Sequence, residues 1–373
     1  MNVHDMFYFM TNPATASEHR IGARTPGRAA RSNTTNRFEP YLRERIDDGW
    51  GAEEELPVLR TEIREERPRK VITHNTSPDI SFDRSINPYR GCEHGCIYCF
   101  ARPSHAYLGL SPGLDFETRL VARPDAPEVL RAELSAKGYV PAPIAIGTNT
   151  DPYQPIEKDR QIMRGILEVL AEFNHPFAIV TKGALIERDI DLLAPMAKKG
   201  LVRVGVSVTT LDPKLSRLLE PRAPAPLRRL ATIRRLSEAG LRVRLMVSPV
   251  IPALTDHEVE SIVAAGAAAG AQAASSIVLR LPREVSPLFQ DWLAAHAPDR
   301  ATRVMGRVRE LHGGRDYDPE WGRRMRGQGP WADLMRVRFD LAVKRHGLDR
   351  KLPPLRTDLF GAPARRGDQL SLF

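Results

Sequence analysis

All three cysteines of this 373-residue chain lie in one stretch, Gly91-Cys92-Glu93-His94-Gly95-Cys96-Ile97-Tyr98-Cys99-Phe100. The thiols follow the spacing C-x-x-x-C-x-x-C, and the two glycines allow the backbone angles that a tight loop needs. Such crowding favours a metal-ligand set over disulfides, because disulfides belong mainly to secreted proteins. Thiolates are preferred ligands of zinc and of iron–sulfur clusters. Three cysteines leave one iron of a four-iron cluster without a protein ligand, which is what a reactive cluster needs.

Composition places the chain among globular proteins with a basic excess. Hydrophobic residues make up 42% and charged residues 27%, which excludes wholesale disorder. The formal net charge is +9, and most of the excess follows residue 300, where 16 Lys and Arg accompany 9 Asp and Glu. This balance favours a polyanionic partner, with nucleic acid first. No apolar run reaches the roughly 18 residues of a membrane span, and residues 1–9 lack a secretion signal. We therefore expect a cytoplasmic protein without membrane contact.

From about residue 85 the sequence alternates between short apolar runs and amphipathic helical patterns. The apolar runs lie at 143–147, 177–180, 201–208, 241–247 and 275–281. The helical patterns lie at 126–137, 158–173, 187–199, 227–239 and 256–269. With a short strand before the cysteines, this makes six β–α units and predicts a parallel sheet covered by helices. Six such units fit either an open doubly wound sheet or an incomplete barrel.

The chain divides into four parts by composition. The expected parts are an N-terminal arm, the β–α region, a basic helical extension, and a linker with a terminal peptide, at residues 1–80, 81–300, 301–360 and 361–373. The arm has no apolar period and contains long polar and charged stretches, so we expect it to be flexible or to wrap the surface. The extension carries helical patterns at 301–311 and 331–346.

With an aromatic residue, Tyr98, directly before the third cysteine, the cysteine stretch resembles the signature of the radical S-adenosylmethionine (SAM) superfamily. The resemblance covers roughly residues 85–285. It implies a 4Fe–4S cluster held by Cys92, Cys96 and Cys99, with SAM bound at the open iron and Tyr98 packed against the cofactor. It also implies an incomplete (β/α)6 barrel, reductive cleavage of SAM to a 5′-deoxyadenosyl radical, and an electron donor such as flavodoxin or ferredoxin.

Three sequence blocks are similar to spore photoproduct lyase and its bacterial relatives. They are Ile86-Asn87-Pro88-Tyr89-Arg90, Thr148-Asn149-Thr150-Asp151-Pro152-Tyr153-Gln154-Pro155 and Leu219-Glu220-Pro221-Arg222. The resemblance implies DNA as the substrate, in lesion repair or base modification. The lyase family uses an additional cysteine to return a hydrogen atom, whereas every cysteine here lies in the loop. Tyr98 and Tyr153 are the candidates for that catalytic role, and a sister family is implied rather than the lyase itself.

Polar residues at the ends of the predicted strands are the remaining site candidates, because β/α barrels gather active sites at the carboxyl ends of their strands. By the same resemblance, Lys182 and Ser207 match cofactor-contacting positions and would bind the SAM carboxylate. Lys182 could equally cap a strand edge, and Ser207 could satisfy backbone groups. Thr150 and Asp151 follow the second strand and are cofactor-binding candidates, although Asp151 before Pro152 is also typical of a turn.

The last five residues, Gln369-Leu370-Ser371-Leu372-Phe373, resemble the peptide with which bacterial proteins bind the sliding clamp. Leu370, Leu372 and Phe373 are the apolar residues of this peptide, and Gln369 is its polar contact. A preceding linker would hold the peptide clear of the body. The alternative is that the tail folds back onto the barrel.

Several other functions remain open from the residues alone. A zinc site could form from the three cysteines with His94 or His105. The radical chemistry could act on RNA or on a protein side chain instead of DNA, or the chain could be a non-catalytic nucleic-acid-binding protein with a structural or redox-sensing metal. Near the C-terminus, Tyr317, Trp321 and Trp331 alternate with arginines and could stack on bases or form a core.

Overall fold

The computed structural model describes residues 27–39 and 59–363 of the chain. Within them the strands are β1 (Glu62–Glu65), β2 (Thr73–His74), β3 (Arg84–Ile86), β4 (Tyr89–Arg90), β5 (Arg119–Ala122), β6 (Ile144–Ile146), β7 (Phe177–Thr181), β8 (Val202–Ser207), β9 (Val243–Val250) and β10 (Ala273–Val278). The α-helices are α1 (Leu114–Thr118), α2 (Ala126–Leu134), α3 (Glu157–Arg160), α4 (Ile162–Glu172), α5 (Ile190–Lys198), α6 (Pro213–Leu219), α7 (Pro226–Glu238), α8 (Val259–Ala268), α9 (Val285–His296), α10 (Pro298–Leu311) and α11 (Pro330–Arg345). Short 3₁₀ helices cover Arg102–Leu108, Ala184–Asp189 and Asp256–Glu258.

The main sheet contains six parallel strands in strictly sequential order, β3-β6-β7-β8-β9-β10, with β2 antiparallel to β3 at the edge. A doubly wound sheet would reverse its strand order in the middle, whereas sequential order with right-handed crossovers places every helix on one side. Within residues 59–363, β3 and β10 do not pair with each other, so the ring stays open. The structure confirms the incomplete (β/α)6 barrel and excludes the doubly wound alternative.

The predicted strands and helices correspond closely to the barrel elements, because their apolar periods reflect burial. In β8, alternate residues Val202, Val204 and Val206 are buried, and on α4 the apolar residues at helical spacing, such as Ile162, Ile166 and Leu170, are buried as well. Ser207 ends β8, and Lys182 follows β7 directly, so both lie at the carboxyl end of the barrel with the cysteine stretch that follows β3.

A second, three-stranded sheet lies beside the cysteine stretch, in the order β1-β5-β4. β1 belongs to the charged segment assigned to the N-terminal arm, and the structure pairs it in parallel with β5. β2, which also belongs to the expected arm, pairs with β3. The sequence did not predict these strands because edge strands are held by backbone hydrogen bonds and keep exposed, charged side chains. Of the arm, residues 1–26 and 40–58 lie outside the described residues.

The helices after residue 300 pack onto the barrel. Trp331, Met335 and Phe339 on α11 are buried in the same core as the barrel strands, and Arg338 bonds to Glu260 on α8. Trp331 is therefore a core residue and does not present a surface for stacking. None of the helices in the described parts of the chain is both long and apolar enough to cross a membrane.

Candidate active site

The cysteine stretch forms a compact loop of successive turns after β3 and β4. Gly95 N donates to Cys92 O (3.1 Å), and Cys99 N donates to Cys96 O (3.2 Å). Gly91 and Gly95 have φ of +76° and +65°, and a Cβ on Gly95 would lie 2.7 Å from Glu117 Oε2. These two positions require glycine, as the spacing predicted. Cys92 and Cys96 are buried and Cys99 is half-buried, and all three are free thiols.

A fully buried arginine holds the backbone of the loop. Arg102 donates from Nε to Cys96 O (3.0 Å) and from Nη2 to Gly95 O (2.9 Å). The same guanidinium bonds to Pro112 O and Gly113 O and forms an ion pair with Glu117 (2.6 Å). Glu117 is fully buried as well, and its carboxylate also accepts from two backbone N–H groups of residues 29 and 30. The Arg102–Glu117 ion pair therefore holds the backbone of the loop in place. No pattern in the local sequence predicts this pair.

The sequence blocks at residues 86–90 and 148–155 hydrogen-bond to each other and to the loop backbone. Asn87 Oδ1 accepts from Asn149 N (3.1 Å), which joins the two blocks to each other. Thr150 Oγ1 donates to Tyr89 O (3.0 Å). Gln154 accepts from the N–H of Glu93 (2.8 Å) through Oε1 and donates to Gly91 O (3.3 Å) through Nε2. Thr150 therefore lies just beside the start of the loop, with its hydroxyl bonded to the backbone of Tyr89.

Asp151 joins the loop to two strand ends. Its Oδ2 lies 3.2 Å from His94 Nδ1 and accepts from the N–H of Lys182 (2.7 Å), and its Oδ1 accepts from Thr181 (2.6 Å). Oδ1 also accepts from the N–H of Tyr153, which is the turn geometry that the Pro152 context suggested. Burial alone would raise the pKa of Asp151, but His94 and these hydrogen bonds hold it below its usual value. With these partners, the carboxylate is a positioning group for the loop.

The third block, after β8, contacts the loop from the other side. Ile97 N donates to Leu219 O (3.0 Å), and Arg222 N donates to His94 O (3.4 Å). The side chain of Arg222 lies 3.1 Å from Glu93 Oε1. All three blocks that carried the resemblance thus converge on the cysteine loop.

Tyr98 belongs to a buried polar network at the carboxyl end of β8. Its hydroxyl donates to Glu220 and lies 3.1 Å from Thr209 Oγ1, and Glu220 also accepts from Arg229. Burial and the neighbouring Glu220 raise the pKa of Tyr98 well above its usual value. Burial alone would raise the pKa of Glu220, but Arg229 and Lys182 lower it to about 2. The network keeps a buried carboxylate ionised and orients the Tyr98 ring.

Lys182 lies beside this network. Its Nζ is 5.7 Å from the centre of the Tyr98 ring. Burial alone would lower the pKa of Lys182, but Cys96 and Glu220 raise it, so the ammonium group stays charged. Ser207 is buried at the end of β8, and its carbonyl accepts from Arg229 Nη1 (3.2 Å). The structure thus places Lys182 beside Tyr98 and Cys96, and it joins Ser207 to the same network through Arg229.

The hydroxyl of Tyr153 belongs to a different cluster of polar side chains. Its hydroxyl donates to Asp189 (3.2 Å) at the start of α5, and Asp189 also binds Arg164 and Arg188. Tyr153 is 2% exposed, and burial together with Asp189 raises its pKa well above the usual value. Its backbone touches Asp151, but its hydroxyl belongs to this separate ion-pair cluster.

The donor set fits an iron–sulfur cluster better than a single zinc ion. Among the described residues, no three His, Cys, Asp or Glu side chains are arranged to hold one metal ion. A cluster places its thiolates on separate irons, farther apart than the ligands of one ion. Burial raises the pKa of Cys96 to about 12, so binding to iron would supply the stabilisation that a thiolate here requires.

Comparison with known proteins agrees with this geometry. The sequence profile described as the Radical SAM superfamily matches residues 86–265, which run from the end of β3 into α8. The chain belongs to the radical SAM superfamily. Its cofactors are a 4Fe–4S cluster and SAM, as the resemblance implied, and structures of a similar protein include one with bound AdoMet.

Relatives of this radical SAM protein occur in bacteria and archaea. An uncharacterized protein of Mycobacterium tuberculosis is 40% identical over 248 residues, covering 66% of this chain and 72% of the relative. An uncharacterized protein of Methanocaldococcus jannaschii is 27% identical over 199 residues, covering 53% and 71% of the two chains.

Solved structures of spore photoproduct lyase share the fold of this radical SAM protein. One variant gives a TM-score of 0.55 at 15% identity, covering 76% of this chain and 79% of the lyase. The lyase complexed with dinucleoside spore photoproduct gives 0.53 at 15% identity, with 76% and 79% coverage. At this identity the similarity shows the fold alone.

Sequence reasoning missed the buried arginines of the site. Arg229 lies on the same helical face as Ile233 and Leu236, and an arginine within a buried apolar stripe is a signal that would have identified it. Arg102 and Glu117 have no such signal, because their pairing depends on how the loop folds back. The peptide at residues 369–373, which resembles a sliding-clamp-binding peptide, lies outside the described residues.

Proposed function

We propose that this radical SAM protein acts on DNA, in lesion repair or base modification. The observation that carries the proposal is the convergence of all three lyase-like blocks on the cysteine loop. Gln154 and Arg222 hydrogen-bond to the loop backbone, and Thr150 donates to Tyr89 O, just before the loop in the chain. The structurally similar lyase was solved with a dinucleoside photoproduct, and the net charge of +9 suits a polyanionic substrate.

In this proposal Cys92, Cys96 and Cys99 hold the cluster. The bound cluster and SAM would supply radical chemistry that abstracts a hydrogen atom, with the electron coming from a flavodoxin or ferredoxin. Lys182 binds the SAM carboxylate, and Ser207 donates to the same group. Tyr98 forms a wall of the cofactor site and is held there by Glu220. Thr150 and Asp151 act by positioning the loop rather than by touching the cofactor.

The hydrogen-atom donor differs from the lyase's cysteine in this proposal. Tyr98 is the better of the two tyrosine candidates, because it is part of the cysteine loop and lies near Lys182. Both hydroxyls are bonded to a buried carboxylate, but that of Tyr153 lies in the separate ion-pair cluster of Asp189. A Tyr98→Phe variant should therefore still cleave SAM but should change the product or its isotope content, whereas Tyr153→Phe should not.

Recruitment by the sliding clamp is the second part of the proposal. The supporting observation is the terminal peptide Gln369-Leu370-Ser371-Leu372-Phe373, preceded by a Gly/Ala/Pro/Arg linker. Leu370, Leu372 and Phe373 would fill an apolar pocket, and Gln369 would bond at its rim. Clamp contact would deliver the enzyme to replicating DNA.

The test is isotope transfer in anaerobically reconstituted protein given SAM and dithionite. We expect 5′-deoxyadenosine to form, and deuterium to enter it from deuterated DNA that carries ultraviolet or alkylation damage. Cys96→Ala is the control that abolishes both signals. Transfer from deuterated RNA or a protein, with none from any DNA, would establish the alternative substrate class. Stoichiometric zinc without iron after anaerobic purification would contradict the enzymatic proposal altogether.

A further inference from the structure

Half of the 14 Lys and Arg side chains that the structure describes after residue 300 are paired with a carboxylate. Arginines of this region form ion pairs with nearby carboxylates, as in Arg307–Glu310, Arg309–Asp316, Arg323–Glu320, Arg324–Asp79, Arg336–Asp333, Arg338–Glu260 and Arg356–Asp358. An arginine already paired with a carboxylate has less to gain from a phosphate. The basic composition of the extension therefore does not by itself make it the nucleic-acid surface.

Exposed aromatic residues lie instead around the cysteine loop. Of the four exposed aromatic side chains among the described residues, two lie in the cysteine loop or on the 3₁₀ helix that follows it, and a third packs against that helix. Phe100 ends the loop, Tyr107 is on the helix and Phe38 packs against Tyr107, with exposed fractions of 42%, 69% and 56%. Phe100 directly follows Cys99, and Tyr107 lies on the 3₁₀ helix that comes next. Aromatic rings this exposed cost free energy in water, so their grouping at one place points to a partner.

Arginines are stacked on these rings. The Arg280 guanidinium lies 4.0 Å from the centre of the Phe100 ring, and Arg37 lies 4.7 Å from Phe38 and 4.9 Å from Tyr107. The Phe38 and Tyr107 rings themselves are 5.3 Å apart. Cation–π contacts of this kind hold the rings in fixed orientations.

The backbone and one carboxylate keep this arrangement in place. Arg37 donates to Glu284 (3.0 Å) and to Pro103 O (3.2 Å), which fixes Phe38 beside Tyr107. Arg280 and Arg283 follow β10 at the carboxyl end of the barrel. Within residues 27–39 and 59–363, neither of them has a carboxylate at ion-pair distance. Two cations are therefore left for an anionic partner.

We propose that these six residues, Arg37, Phe38, Phe100, Tyr107, Arg280 and Arg283, form an arginine–aromatic patch that binds single-stranded DNA beside the cluster. Bases stack on the exposed faces of the rings, while Arg280 and Arg283 contact the phosphates. Such a surface binds along a flexible single strand and accepts any base, because every base has a π-face that can stack on an aromatic ring. A paired duplex hides those faces, so the patch selects unpaired or flipped nucleotides. The inference rests on the proposed function, since it assigns the substrate surface of the same site.

The experiment measures fluorescence anisotropy of the anaerobic holoenzyme with a labelled 20-nucleotide DNA strand and with the matching hairpin duplex. Phe38→Ala with Tyr107→Ala should weaken binding of the strand roughly tenfold or more, and binding of the duplex far less. The matched control removes two exposed apolar side chains from α11, Leu334→Ala with Leu341→Ala, and should leave both affinities unchanged.

A second pair of variants tests the phosphate contacts through salt dependence. Arg280→Gln with Arg283→Gln should reduce the slope of log affinity against log salt by about 1.4, since each phosphate contact on a single strand contributes about 0.7. Arg336 is paired with Asp333, so Arg336→Gln is the control and should not change the slope. Circular dichroism and iron content establish that each variant is folded and loaded.

The outcomes separate this proposal from the proposed function. Unchanged strand affinity in the aromatic variants, or stronger binding of the duplex than of the strand, would overturn the patch while leaving DNA as the substrate. Tenfold stronger binding of a matched RNA strand would overturn the DNA assignment of the patch. If the parent protein binds no DNA, both the DNA substrate and the arginine–aromatic patch are refuted. Formation of 5′-deoxyadenosine in the absence of DNA would then still show that the protein cleaves SAM.

Discussion

The buried ion pair behind the cysteine loop should be the most sensitive point of the site. Arg102 and Glu117 are both fully buried, with 2.6 Å between Nη2 and Oε1. Glu117→Gln keeps the shape of the side chain but removes the negative charge that compensates Arg102. It also weakens the acceptor for the backbone N–H groups of Ala29 and Ala30.

Breaking a buried pair by neutralising one partner costs about 3–5 kcal/mol, because the other charge remains buried without compensation. We expect the free energy of unfolding of the reduced apo-protein to fall by that amount in anaerobic urea titrations. Asp333→Asn is the matched control, since its pair with Arg336 is exposed on both sides and should contribute about 0–1 kcal/mol. A loss below about 1 kcal/mol in Glu117→Gln would refute the assignment of this pair as the support of the loop.

Arg102→Lys tests the same support if Glu117→Gln does not fold. Lysine keeps the charge near Glu117, but one ammonium cannot reach the carbonyl groups of Gly95, Cys96, Pro112 and Gly113 together. The variant should therefore stay folded and hold less iron per chain after reconstitution. Full iron loading in Arg102→Lys would mean that the loop does not depend on these hydrogen bonds.

The remaining predictions concern the cofactors, the acid stability and the tail. Cys96→Ala should abolish iron–sulfur absorbance in reconstituted protein; an unchanged spectrum would exclude this thiol as a ligand. Lys182→Ala should weaken SAM binding in equilibrium dialysis without loss of iron, whereas equal affinity would remove Lys182 from the cofactor site. The pKa of Glu220 is lowered from 4.5 to about 2, so its stabilisation is fully present above pH ~4.5 and is lost as the pH falls towards 2. Acid unfolding of the apo-protein should therefore flatten in Glu220→Gln over that range. A peptide of residues 365–373 should bind a bacterial sliding clamp with micromolar affinity, about −8 kcal/mol; replacing Leu372 and Phe373 by alanine should remove most of it, and undiminished binding would contradict the clamp assignment.

The barrel could be predicted from the sequence because its signals are local. An apolar run such as 177–180 and a helical pattern such as 227–239 correspond to β7 and α7, since burial of one face leaves a period in the sequence. The cysteine spacing is local too. Short charged strands such as β1 leave no such period, so the composition of residues 1–80 predicts an arm and no strands. The pairing of Arg102 with Glu117 leaves no period either, because it depends on how the loop folds back onto α1.

The contacts of the cysteine loop have a consequence for how the cluster site forms. Zinc fingers fold around their metal because the apo-peptide has too few other contacts. Here the loop backbone is bonded to Arg102, Gln154 and Leu219, which belong to three different parts of the barrel end. Those bonds form when the barrel folds, with or without iron. The loop is therefore organised in advance, and cluster binding needs to supply only the ionisation of the thiols. It follows that the apo-protein should keep its secondary structure, and that the iron content should depend on supporting residues outside the loop, such as Glu117, as well as on the cysteines.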